Sequence, residues 1–430
     1  MLVSIIIASI TIVAILLVSI FKPLVRIKSL TLNLYWIIAL LGALILIFSN
    51  LLPFDEFIKG VTNNESSMNP LKILILFISM TGLSIFLDEL GFFNKLATFI
   101  IHRIKTKQIL IFIGFYLLVS ILTMFTSNDI VILTLTPFII FFCKRGNISP
   151  IPYLVAEFCA ANTWSMMFII GNPTNIYLAS SHNIDFVNYF LKMALPTIGA
   201  GIVEFLLLLL IFNKKLKDPI IEIPHSLKKL NRPLVIIGLI ILFIATIFLV
   251  ISSYINLSMW LIALSALILL TLVVLIYSFI KRTFPKELLK TYKRMPWELV
   301  PFLLAMFAIV LTLEKYGICA KIHDFFGTNN QTFVYGLASL FSANIVNNIP
   351  MSILFSSIIN DSTMLNAIYA SIIGSNIGAF LTPFGALAGI MYMSILKRHH
   401  IKFSYLDFMK YGFIIGLPVI GVALFILLII

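Results

Sequence analysis

The stretch Phe125-Thr126-Ser127-Asn128-Asp129 interrupts a long apolar tract. Hydrocarbon offers no partner to hydroxyl, amide or carboxylate groups. Ser, Asn and Asp also compete with the helical backbone for hydrogen bonds. A turn of this composition inside an apolar tract must be buried in protein or line a wet cavity. Basic residues close both flanks, His102-Arg103-Ile104-Lys105-Thr106-Lys107 before and Cys143-Lys144-Arg145 after. The arms, 108–124 and 130–142, are short. The spacing predicts a re-entrant hairpin that enters from the cytoplasmic side, turns at Ser127–Asp129 and returns. A second polar turn, Ser342-Ala343-Asn344-Ile345-Val346-Asn347-Asn348-Ile349-Pro350, has arms at 331–341 and 351–359. Its flanks, Thr328-Asn329-Asn330 and Asn360-Asp361-Ser362, lack Lys and Arg, so it is expected to enter from outside. The plainer alternative is two capped helix kinks.

The chain has 430 residues, 61% hydrophobic and 11% charged. That apolar share exceeds a soluble domain's and points to a multi-pass protein of the lipid bilayer. One spanning helix needs about 20 apolar residues, which leaves room for about ten. The net charge of +13 sits in short loops. This is the positive-inside pattern, and no nucleic-acid partner is expected. Residues 1–21 lack a basic leader and a small-residue cleavage site, so they read as a retained first span. Cys143, Cys159 and Cys319 are too scattered for a disulfide framework or a thiolate metal site. No Gly-rich Lys-Ser/Thr loop marks a nucleotide site, and no cofactor is expected beyond a coupling proton or sodium ion.

Charge and apolar runs divide the chain in order. Spans are expected at Leu2–Phe21, Leu32–Phe48 and Leu71–Leu87, then an amphipathic segment over 88–107 and the first hairpin. A fourth span, Ile151–Ile170, runs into Gly171-Asn172-Pro173-Thr174-Asn175. Gly and Pro free backbone groups there, so the helix should unwind and resume over 176–179. Leu191–Phe212 is the fifth. A basic linker at 213–233 is expected in the cytoplasm. The second half, 234–430, repeats the order: Leu234–Ile251, Leu257–Phe279, Trp297–Leu313, an amphipathic segment over 314–326, and the second hairpin over 331–360. A broken span, Leu365–Leu396, is expected to be interrupted at Gly374–Gly378 and Leu381–Pro383. The last span is Tyr405–Ile430.

The repeat is visible in the letters. At an offset of 222, Asp185, Phe186, Tyr189, Leu195 and Pro196 fall on Asp407, Phe408, Tyr411, Leu417 and Pro418. Asp88-Glu89-Leu90-Gly91 matches Glu314-Lys315-Tyr316-Gly317 in place. Five spans per half is an odd number, so residues 1–212 and 234–430 are expected to lie inverted in the membrane, with both termini outside. Such repeats bind substrate and coupling ion at broken helices near the midplane. The expected substrate ligands are Ser127, Asn128, Asn172, Thr174, Asn175, Asn344, Asn347, Asn348, Ser375, Asn376 and Thr382. Their amides and hydroxyls suit a small oxygen-rich solute. Asp129, a carboxylate at a hairpin tip, is the expected ion-coupling group. Glu157 is placed at a wet entrance and Glu204 in packing. All six histidines fall in loops or interface segments, which argues against an intramembrane hydrolase and against any enzyme.

One ordered set of motifs resembles the arsenical-pump membrane protein family of the ion transporter superfamily. The set is Phe86-Leu87-Asp88-Glu89-Leu90-Gly91-Phe92-Phe93, Asn128-Asp129 with Leu135-Thr136-Pro137, Pro296-Trp297-Glu298, Asn344-Ile345-Val346-Asn347-Asn348-Ile349-Pro350 and Leu381-Thr382-Pro383-Phe384-Gly385-Ala386-Leu387. The resemblance implies an all-α integral membrane fold with a scaffold, a mobile transport domain, two re-entrant hairpins and two broken helices. It implies a secondary transporter in the cell membrane, most specifically proton-coupled efflux of arsenite or antimonite. A sodium- or proton-coupled carboxylate, citrate or inorganic-anion carrier, a sodium/proton antiporter and an ion channel stay open. A homodimer and a separate ATPase subunit are the partners it brings with it.

Overall fold

The computed structural model describes residues 2–21, 24–27, 30–62, 69–104, 107–217, 231–252, 254–359 and 364–430. Most of the basic linker (218–230), Glu65 and the Asn360–Ser362 flank lie outside the described residues. The regular structure is helical apart from a small antiparallel pair in the first loop, β1 (Leu24–Ile27) and β2 (Leu30–Asn33).

The helices run through one order twice. The first pass is α1 (Leu2–Phe21), α2 (Leu34–Phe48), a short α3 (Phe54–Thr62), α4 (Pro70–Glu89) and α5 (Phe92–Ile104). It continues with a hairpin of α6 (Gln108–Phe125) and α7 (Asn128–Gly146), a broken pair α8 (Ile151–Trp164) and α9 (Pro173–Ser181), and α10 (Phe186–Phe212). The second pass is α11 (Arg232–Ile251), α12 (Met259–Ile280), a short α13 (Lys286–Arg294), α14 (Leu299–Lys315) and α15 (Ile318–Phe326). Its hairpin is α16 (Gln331–Val346) and α17 (Asn348–Ile358), its broken pair α18 (Leu365–Gly378) and α19 (Leu387–Arg398), and its last helix α20 (Tyr405–Ile429).

Packing repeats the correspondence with the halves exchanged. Helix α2 packs on α14 while α12 packs on α4; α7 packs on α19 while α17 packs on α9; α10 and α20 pack on each other. Ion pairs follow the same exchange. At the end of α4, Asp88 Oδ2 and Glu89 Oε1 lie 2.8 and 2.5 Å from Arg294 Nη1 on α13. At the end of α14, Lys315 Nζ lies 2.7 Å from Glu56 Oε2 on α3. Gly91 and Gly317 occupy matching corners at φ +79° and +71°, a left-handed conformation that glycine adopts without a Cβ penalty. The segments that hold α3 and α13 carry no spanning run. Each instead forms a short helix with a few buried residues, Val61 on α3 and Leu288 and Thr291 on α13.

Seven stretches among the described residues are long and apolar enough to cross a membrane: α4, α6, α10, α11, α12, α13 running into α14, and α20. The broken pairs fall short because each is cut in two. α8 and α18 are buried on every side over Pro152–Thr163 and Ala367–Gly378, as expected of helices at the centre of a bundle.

The four interruptions differ in detail from expectation. The first broken span ends earlier, at Trp164, and crosses to α9 through 3-10 turns at Ser165–Met167 and Ile169–Gly171. The chain folds back on itself there: a Cβ on Gly171 would lie 2.3 Å from the Ser165 carbonyl oxygen. The second broken span ends later. Gly374–Gly378 is helical, and the irregular stretch is 379–386. Gly374 is small for packing rather than for bending, since a Cβ would lie 1.9 Å from Ser339 Oγ and 2.1 Å from the Gly336 carbonyl on α16. In the second hairpin α16 continues past 341 to Val346, and the joint is one residue, Asn347, at φ +74°. The first hairpin breaks at Thr126–Ser127, slightly before the expected Ser127–Asp129 turn, and Asn128 and Asp129 already lie in the first turn of α7.

Candidate functional site

The interruptions come together in three side-chain groups. In the first, the hairpin tip docks on α8: Asn128 Nδ2 donates to Asn162 Oδ1 at 3.0 Å. The second joins the two broken spans. Asn376 Oδ1 accepts from Ser165 Oγ and Asn172 Nδ2, each at 2.8 Å. Asn376 Nδ2 donates to Asn175 Oδ1 at 2.7 Å and to the Ile372 carbonyl at 2.8 Å. Asn175 Nδ2 reaches the Ser165 carbonyl at 2.8 Å. Asn172 Oδ1 caps α9 by accepting from the Thr174 amide at 3.1 Å and its hydroxyl at 3.2 Å. The third group holds the second hairpin tip on 379–386. Asn344 Oδ1 accepts from Thr382 Oγ1 at 2.7 Å, Asn347 Nδ2 donates to the Phe384 carbonyl at 3.2 Å, and the Asn348 amide donates to the Gly385 carbonyl at 3.0 Å.

These groups satisfy one another. Buried polar atoms must be paired, and the pairing explains how so many amides sit at depth. Three atoms of the expected set are left over: Ser127 Oγ, Asn128 Oδ1 and Ser375 Oγ are buried without a partner.

Beside the first hairpin tip lies a cavity of about 660 Å³, bounded by the starts of α2, α7 and α19, the middle of α4 and the junction of α13 with α14. Of the expected ligands, Ser127 and Asp129 line it. Asp129 is half-buried in the first turn of α7, and it forms no ion pair among the described residues. Three further lining residues had been given no role: Asn33, Tyr35 and Glu298. Asn33 Nδ2 donates to both Glu298 oxygens, at 2.7 and 2.8 Å. Glu298 stood inside the Pro296-Trp297-Glu298 motif, so a signal existed. Nothing in the letters around Asn33 and Tyr35 marks them, because their place depends on α2 packing against the other half.

The remaining buried acids lie elsewhere. Glu157 is not at a wet entrance: it is 1% exposed and accepts from Thr136 Oγ1 at 3.1 Å. Glu204 is fully buried and accepts from Thr163 Oγ1. The three cysteines are free and buried, and on α15 burial pushes the Cys319 thiol up to about 12.

Residues 30–370 match the citrate transporter family. The chain belongs to that family. The chain is 27% identical over 366 residues to a putative arsenical pump membrane protein of Bacillus subtilis, covering 77% of this chain and 81% of the relative. It is 27% identical over 375 residues to the arsenical pump membrane protein of Yersinia enterocolitica, covering 81% and 84%. The crystal structure of the YdaH transporter of Alcanivorax borkumensis superposes with a TM-score of 0.59 at 13% identity, over 99% of this chain and 97% of that one. Its likeness extends to the fold. The citrate transporter family and the fold together make this chain a multi-pass secondary membrane transporter.

Proposed function

We propose that the chain exports a small, neutral, oxygen-rich solute, arsenite or antimonite in their hydroxide form, in exchange for protons taken through Asp129. The cavity carries the reading. Its ionisable lining is Asp129, Glu298 and Tyr35, and its cationic residues are Lys293, which is exposed, and Arg294, already paired with Asp88 and Glu89. A multiply charged anion would meet two carboxylates and no uncommitted buried cation. A neutral hydroxide meets hydroxyls and carboxylates that can accept its protons. The names of the arsenical pump relatives support the same solute.

The exchanged packing of the halves supports inverted repeats, 1–212 and 234–430, joined by a cytoplasmic linker at 213–233. In that arrangement the first hairpin opens inward and the second outward, and both termini lie outside. Alternating access then requires the Asn172–Asn175–Asn376 group and the hairpin tips to move relative to α2, α4, α12 and α14. A second reading, carriage of citrate or another carboxylate, is favoured by the family description. Proteoliposomes with an imposed pH gradient separate the two. Saturable arsenite flux that a proton uncoupler abolishes is expected. Citrate flux of equal or greater efficiency would establish the second reading, and flux that neither saturates nor depends on a counter-ion would indicate a channel.

A further inference from the structure

We propose that α13 and the turn before it form a seat for an anionic phospholipid, with lysines on the headgroup phosphate and Phe284, Leu289 and Trp297 against the acyl region. The helix is short and has two distinct faces. Leu288 and Thr291 are buried, and α13 packs on α4. Lys286, Leu289, Lys290 and Lys293 are exposed. At 3.6 residues per turn these four share one arc of about 100°, directly opposite the buried pair. The exposed face therefore belongs to no other part of the fold.

Its charge is uncompensated. Over 281–294 six Lys and Arg stand against one acid, Glu287. Arg294 is committed to Asp88 and Glu89. Among the described residues Lys281, Arg282, Lys286 and Lys293 form no ion pair, and Lys290 reaches Glu89 only at 4.0 Å. Beside this charge lie large apolar side chains. Phe284 is 66% exposed, Leu289 44% and Trp297 50%. The Trp297 indole N–H donates to the Tyr292 carbonyl at 2.7 Å, which holds the ring against the last turn of α13.

The combination selects the partner. A soluble acidic protein or a nucleic acid would meet the lysines and leave Phe284, Leu289 and Trp297 in water. A phospholipid meets both halves, phosphate on ammonium and acyl chain on ring and leucine. Short amphipathic helices with Lys on one side and Trp, Phe or Leu on the other lie in the bilayer interface for this reason. The place in the chain agrees. The helices that α13 joins, α12 and α14, belong to stretches long and apolar enough to cross a membrane, so this surface lies where the chain leaves the bilayer. Anionic lipid adds attraction for each Lys or Arg near the surface, and zwitterionic lipid does not. Lys293, Arg294 and Trp297 also line the cavity, so the headgroup seat adjoins it. The seat does not depend on which solute the cavity carries.

The test uses full-length protein reconstituted in phosphatidylcholine vesicles. Phosphatidylglycerol or phosphatidylcholine with brominated chains is then mixed in. Bromine quenches indole fluorescence on contact, and the difference between wild type and Trp297→Phe isolates the Trp297 signal. Brominated phosphatidylglycerol should quench Trp297 at lower mole fraction than brominated phosphatidylcholine, with a relative affinity of about threefold or more. That preference should fall towards one in Lys286→Gln/Lys290→Gln, whose exposed side chains leave the fold intact, and in high salt, which screens exposed charges. A charge-matched control, Lys397→Gln/Arg398→Gln in the exposed last turn of α19, should keep the wild-type preference. No preference in the wild type, an unchanged preference in Lys286→Gln/Lys290→Gln, or an equal fall in the control overturns the inference. Recovery of fluorescence on adding soluble glycerol 3-phosphate would assign the seat to a free phosphate and overturn the lipid.

Discussion

Asn376 ties the broken spans of the two halves together, and its removal has a calculable consequence. Asn376→Ala deletes an acceptor for Ser165 Oγ and Asn172 Nδ2 and a donor to Asn175 Oδ1. Ser165 Oγ keeps the Asn162 carbonyl at 2.7 Å. The Asn172 amide and the Asn175 carbonyl oxygen lose their side-chain partner. In a water-soluble protein each orphaned group costs about 1–3 kcal/mol. Between membrane helices the measured terms average about 0.6 and reach about 1.7 kcal/mol, because the unfolded chain in lipid finds other partners. Two groups at the membrane values give a loss of about 1–3 kcal/mol. The assay is unfolding of purified protein in mixed micelles by increasing SDS, followed by circular dichroism. A double-mutant cycle with Asn172→Ala isolates the pair, with an expected coupling of about 0.5–1.5 kcal/mol. Additivity of the two substitutions within about 0.3 kcal/mol would show that the contact does not hold the halves together.

Other outcomes follow from the same geometry. Gly374→Ala places a Cβ against backbone and side chain of α16; separation of α16 from α18 should cost about 1–3 kcal/mol in the same assay, whereas Gly421→Ala, with nothing within 4 Å, should lose nothing by contact. Arg294→Gln should destabilise by about 1–3 kcal/mol, since it leaves Asp88 and Glu89, 7% and 12% exposed, without their counter-charge, and about 1 M salt should remove only part of the difference, because mostly buried charges are screened less. The native cysteines are 0–3% exposed, so wild-type protein should react slowly with a hydrophilic maleimide. Met391→Cys, at a position 45% exposed on the cavity wall, should react quickly, and Ser371→Cys, at a fully buried one, should not. Equal reaction of both cysteine variants would refute the cavity.

The sequence was most informative where lipid leaves a chain few choices. An apolar run without charges must be a helix in hydrocarbon, so α1, α2, α4, α10, α11, α12, α14 and α20 fall within a few residues of their expected bounds. The turn at Ser127 and the joint near Asn347 were legible for the same reason: polar side chains that cannot face lipid announce an interruption. Glycine was ambiguous. In Gly374-Ser375-Asn376 it suggested a bend, but it serves the close approach of α16, and only the partner helix distinguishes the two uses. The short helices α3 and α13 escaped notice because their periodicity is brief and their packing surface belongs to other segments.

The letters, then, determined a helical membrane protein with two matching halves and the stretches where its helices fail. They could not decide what those failures face. Asn172, Asn175 and Asn376 are chemically the equals of Ser127 and Asp129 as candidate ligands, yet in this structure the amides spend their hydrogen bonds on each other while Ser127 and Asp129 meet open space with Glu298 and Tyr35. Hydrogen-bonding capacity is a property of the residue. Whether it is already used depends on which distant segments the fold places within 3 Å, and that is settled only by how the two halves pack.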